Sequence, residues 1–93
     1  MRKKAEILKA ENEFFDRVWF ERKKVYIQNI VDDIEQMPEP KIREGMLKAY
    51  REVEAKYGTH NLTVEGTFEW GMINGKLSAL RWVMGDEWDM LDT

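Results

Sequence analysis

Apolar positions at Trp70, Ile73, Leu77, Leu80 and Met84 recur at spacings of three and four. That period places them on one face of an α-helix and predicts a helix over about 67–84. Thr67 is suited to be its N-cap, because a hydroxyl can accept from an otherwise unpaired N–H of the first turn. Glu69 follows in that turn, where a negative charge suits the positive end of the helix dipole. Gly85 can take the left-handed conformation that ends a helix. A second stripe, Gly71, Gly75 and Ala79, runs at a spacing of four. Each glycine costs about 1 kcal/mol against alanine inside a helix. The stripe therefore predicts a close neighbour, a helix of the same chain in the favoured case and a second subunit in the other. On that expectation Gly75→Leu overpacks the contact and lowers the thermal midpoint.

Upstream, Leu8, Phe15, Trp19, Tyr26, Ile30, Ile34 and Met37 keep a helical spacing, with Val18 and Val25 beside them. They predict a long first helix over about 3–36, with Phe14 and Phe20 off the main stripe. Such a helix would be roughly 50 Å long, against roughly 25–30 Å for the diameter of so small a domain. Either one end projects, or the helix bends near the polar turn Glu21-Arg22-Lys23-Lys24, or a second copy covers the excess. The chain breaks at Met37-Pro38-Glu39-Pro40, since a residue before proline is pushed out of the helical region. Pro40 then opens a helix to Tyr57, with Ile42, Met46, Ala49, Tyr50, Val53 and Tyr57 on its buried face. Thr59 to Gly66 lacks helical period and reads as a loop pinned by Leu62 and Val64. Beyond Gly85, Asp86 could cap a short C-terminal helical turn that docks Trp88 and Leu91. The expected fold is all-α: one three-helix domain over residues 1–93, with that final turn.

Composition sharpens this in three places. A content of 43% hydrophobic and 12% aromatic residues predicts a folded chain. The absence of cysteine excludes disulfides and thiolate metal sites, and it fits a reducing cytoplasm. The basic start, MRKKAEILKAENEFF, lacks the apolar run of a signal peptide, and no stretch reaches membrane length, so a cytoplasmic location and no membrane partner are expected. Charge is uneven beneath a net −3. Residues 1–56 hold thirteen Lys and Arg against twelve Asp and Glu, and residues 57–93 hold two against six. A nucleic-acid binder would show a basic surplus. The local clusters Arg2-Lys3-Lys4 and Arg22-Lys23-Lys24 are the exceptions.

Candidate chemistry is sparse. His60, the one histidine, sits in a polar segment without an organised partner. Ser78, the one serine, falls inside a predicted helix and is expected to pack or to bond backbone. GMING lacks the strand-turn context of a phosphate loop. Glu11, Glu13 and Asp16, and again Asp32, Asp33 and Glu35, read as surface charge rather than metal ligands, since the E-x-x-H pair of helical carboxylate sites is missing. No catalytic residue, cofactor or metal is expected. Four tryptophans stand out, at 19, 70, 82 and 88, and Trp82 lies off the apolar stripe.

The block from Phe68 to Thr93 carries FEWG, NGKLSALRWV, and the WD and LDT near its end. It resembles small bacterial proteins of unassigned function. The resemblance implies a bacterial or phage origin and transfers no activity and no site residues. The function expected from the residues is a non-enzymatic protein-interaction module, a homodimer or a binder of another protein. Its candidate surface is Gly71, Gly75, Ala79, Trp82 and Trp88. The alternative is a nucleic-acid-associated accessory or regulator using the basic residues of the first helix.

Overall fold

The structure, a computed structural model, describes residues 1–88. Four helices occur among them: α1 (Lys4–Val31), α2 (Pro40–Tyr57), α3 (Thr59–Leu62) and α4 (Gly66–Val83), with no strand among the described residues. The fold is all-α.

α1 runs unbroken through Glu21-Arg22-Lys23-Lys24, so the polar turn is no hinge of the helix. It stops at Val31, five residues short of the expected end. Asp33 takes φ +59°, the Asp33 N–H bonds the Ile30 carbonyl at 3.2 Å, and the Ile34 N–H bonds the Asn29 carbonyl at 2.8 Å. This 6→1 and 5→2 pair is a Schellman closure. It ends the helix ahead of Pro38, and proline did not have to. α4 closes in the same way. Gly85 at φ +111° lets its N–H bond the Trp82 carbonyl at 3.0 Å, and the Asp86 N–H bonds the Arg81 carbonyl at 2.9 Å. The Asp86 N–H therefore takes part in ending α4. Residues 86–88 have no helical turn, and Leu91 lies outside the described residues.

Helix starts differ from expectation at one place. α2 begins on Pro40. α4 begins at Gly66, with Glu65 as its N-cap, so Thr67 is already inside the helix and makes no cap bond. Glu69 supplies the stabilisation by folding back. Its carboxylate accepts the Glu65 N–H at 2.9 Å, four residues back along the chain. The segment expected to be a loop forms the single turn α3. The Asn61 amide donates to the Tyr57 carbonyl at 2.8 Å, and the Thr63 hydroxyl donates to the Thr59 carbonyl at 3.0 Å.

The chain gathers into two compact units. One holds Met1–Val18 and the chain from Val64 onward; Val18 and Leu77 are its buried apolar residues among those described. There α1 and α4 meet through Glu11 and Arg81, 3.8 Å apart, Lys76 over the Phe14 ring at 5.5 Å, and Arg81 over the Phe15 ring at 5.8 Å. The other unit is Trp19–Thr63. Its centre is Phe20, stacked on Tyr50 with ring centroids 4.2 Å apart and planes 15° from parallel. Leu62 is buried there as well, as expected of a pinning residue.

The stripe expected of the first helix is covered only in part: Trp19, Tyr26 and Ile30 are half-buried. Leu8, Phe15, Ile34 and Met37 are exposed, as is Val25, whereas Val18 and Phe20 are buried. In α2, Ile42 is exposed although it belongs to the expected core stripe. The reason in α1 is physical. Its apolar residues lie around much of the helix, so periodicity admits more than one face, and packing neighbours choose between them.

Candidate interaction surface

α4 is apolar on two sides. Its inner face is the expected one: Leu77 is buried, and Trp70, Ile73, Leu80 and Met84 are half-buried. At about 100° per residue, the opposite face holds Phe68, Gly71, Met72, Gly75, Ala79, Trp82 and Val83. All seven are exposed, Phe68 by 80% and Trp82 by 50%. Trp88 is 52% exposed and stacks on Trp82, with ring centroids 5.2 Å apart and planes 11° from parallel.

The expected surface residues Gly71, Gly75, Ala79 and Trp82 thus share one face of one helix, and the Trp82 stack joins Trp88 to them. Phe68, Met72 and Val83 belong to the same face, and sequence reading passed over them. Their signal was present, since 68, 72, 75, 79 and 82 repeat at four and three just as the inner stripe does. The small residues Gly71, Gly75 and Ala79 give that face the look of a packing stripe, which hides the large apolar side chains between and beside them.

Among the described residues, nothing lies against the two glycines of the stripe. A Cβ placed on Gly71 or Gly75 meets nothing within 4 Å. The favoured expectation, a helix of the same chain against the glycines, is therefore corrected: the stripe lies opposite the core face of α4 rather than beside it.

The outer face is also free of charge. α4 contains three charged residues, Glu69, Lys76 and Arg81. Glu69 is held by the Glu65 N–H, Lys76 extends over Phe14, and Arg81 reaches Glu11 and Phe15. Each is drawn to the end or the α1 side of the helix, which leaves the outer side to carbon.

Other candidates are dispersed. Glu13 pairs with Arg17 at 3.3 Å and Glu11 with Arg81, while Asp32 accepts from Gln28 at 3.2 Å. No three His, Asp or Glu side chains among the described residues are grouped to hold a metal ion. His60 is exposed on α3, and Ser78 is half-buried on α4. Arg2 is tied to Glu6 at 2.9 Å, and Lys23 lies over the Tyr26 ring at 5.3 Å. Arg22, Lys23 and Lys24 are consecutive in a helix, so they fan around it instead of forming a stripe. A shallow depression lined by Arg2, Glu6, Lys9, Ala10 and Glu13 lies along the start of α1 alone. No described helix is long and apolar enough to cross a membrane.

One polar cluster is partly buried. Glu21 has a buried carboxylate oxygen, Oε2, with no hydrogen-bond partner. Nearby, burial, then the Glu54 carboxylate, then Glu21 push the Tyr50 phenol above the usual tyrosine range.

The chain matches no protein-family model, no curated protein and no solved structure.

Proposed function

We propose that this chain is a small non-enzymatic protein-interaction module whose contact surface is the outer face of α4. One observation carries the reading: α4 turns an apolar face inward and a second, uncharged apolar face to solvent. A solvent face of a helix is ordinarily polar, and a helix apolar all round is ordinarily covered on every side. Clustered exposed aromatics are typical of the anchors of protein contacts. A protein suits this face better than nucleic acid does, because phosphate recognition needs cations and both cations of α4 are engaged toward α1. The resemblance of the C-terminal block suits a bacterial or phage protein of this kind.

A photo-reactive benzoylphenylalanine in place of Trp82, in the full chain inside its source cell, tests the reading. Protein adducts should form on irradiation, and excess wild-type chain should suppress them where the Phe68→Asp/Met72→Asp chain does not. The same probe at exposed Lys48 on α2 should give none. No protein adduct from position 82, or adducts equal to those from Lys48, would overturn the proposal.

A further inference from the structure

We infer that the partner for this face is a second copy of the chain, packed α4 against α4 in antiparallel fashion with Gly75 at the crossing. The inference rests on the outer face being a contact surface, and adds its occupant and its register. The residue sizes along the face are arranged about Gly75. Phe68 and Trp82 stand two turns to either side, each seven residues away, and Met72 and Ala79 lie three and four residues away. In an antiparallel pair, residues whose numbers average 75 come level with each other. Gly75 then meets Gly75, Phe68 of either copy meets Trp82 of the other, and large Met72 falls beside small Ala79. A parallel pair would set Met72 on Met72 and Ala79 on Ala79, crowding one turn and leaving the next empty.

The glycine geometry fits this crossing. Helices packed about 8–10 Å apart, each with Cα atoms about 2.3 Å from its axis, bring facing Cα atoms to about 3.5–5.5 Å. A large side chain does not fit in that space. The open surroundings of Gly75 within one chain leave the room for a second backbone.

The area is adequate. Phe68, Trp82 and Trp88 are 80%, 50% and 52% exposed. Aromatic side chains offer about 150–250 Å² each, so these three leave roughly 400 Å² per copy. With Met72, Val83 and the glycine backbone the pair would bury about 1,000 Å² in all, at the threshold for a specific interface. A reversible dimer follows, rather than a permanent one.

The chain has no cysteine, so single introduced cysteines report the register without background. Sedimentation velocity of the wild type over a concentration series should show monomer passing to dimer. Gly75→Cys should form a disulfide-linked dimer on mild oxidation. Ala79→Cys should not, because the two copies of residue 79 would stand about 12 Å apart along the axis, beyond the roughly 7 Å reach of a disulfide. Gly75→Leu, at an exposed position whose Cβ meets open space in the single chain, should weaken association about tenfold or more. Cross-linking of both cysteine variants would indicate a parallel pair and overturn the register. A wild type that stays monomeric throughout would overturn self-association, and if position 82 still gave suppressible adducts with another protein the interaction reading would survive it. Absence of both would remove the two together.

Discussion

Glu21 and Tyr50 show most directly what single atoms do in this chain. A buried carboxylate oxygen without a donor retains its desolvation penalty, and an apolar side chain of similar shape does not carry it. Glu21→Met should therefore leave stability unchanged or raise it by about 1 kcal/mol, read from urea denaturation midpoints; a clear loss would mean that Glu21 is held by a favourable contact. The phenol of Tyr50 keeps its proton to higher pH in the folded chain than in the unfolded one, because burial, Glu54 and Glu21 all disfavour its anion. Its contribution to stability is then intact below about pH 10, the ordinary tyrosine value, and is lost as pH rises through the elevated folded value. Tyr50→Phe keeps a ring to stack on Phe20 and should flatten that alkaline loss. Ultraviolet titration of the wild type should show one tyrosine ionising after the ordinary range, and that late step should be missing from the variant.

At the scale of elements, the two helix ends make a matched experiment. Both close through a left-handed residue, Asp33 at φ +59° after α1 and Gly85 at φ +111° after α4. A residue with a Cβ is disfavoured in the left-handed region by roughly 1–2 kcal/mol, and an acid at a helix C-terminus also opposes the dipole. Asp33→Gly should stabilise by about 0.5–1 kcal/mol, after allowance for the freer unfolded chain, and Gly85→Ala should destabilise by about 1 kcal/mol or more. Thermal midpoints should move in opposite directions, and a shared direction would contradict the closures described. α4 offers a third measurement. A methyl group at Gly75 meets open space in the chain. At concentrations too low for association, Gly75→Ala should accordingly gain about 1 kcal/mol from helix propensity. No gain under dilution would place an unseen neighbour on the stripe. The helices themselves were legible in the sequence where local chemistry decides them: α2 on its proline start and glycine end, and α4 on its stripe and on Gly85. The end of α1 was not, because Asp33 in a left-handed conformation leaves a weaker trace than a glycine would.

For the whole molecule, charge sets what the chain meets in solution. With thirteen basic against twelve acidic residues before position 57 and two against six after it, the basic surplus of the first part is a single charge and the chain as a whole is acidic. Duplex DNA should bind weakly and without sequence preference at near-physiological salt. Fluorescence anisotropy of a labelled duplex checks this, and tight binding with a steep loss on adding salt would instead favour the basic residues of α1 as a nucleic-acid surface. Self-association through α4 would leave that result unchanged, since the outer face of α4 is uncharged and distinct from the basic clusters.

The sequence by itself determined the all-α class, the limits of α2, the inner face of α4 and the burial of Leu62. These follow from short-range rules: side chains three and four apart share a helix face, proline opens a helix, and glycine closes one. It also singled out Gly71, Gly75, Ala79, Trp82 and Trp88. Only the tertiary structure decided on which side of the core those residues stand. Periodicity says that two stripes exist on α4 but not whether a neighbour covers the second. The same holds for α1, where Leu8 and Phe15 lie on the spacing and are exposed, while Val18 beside it is buried. A helix with apolar residues on several sides has no face of its own, and the elements packed against it supply one.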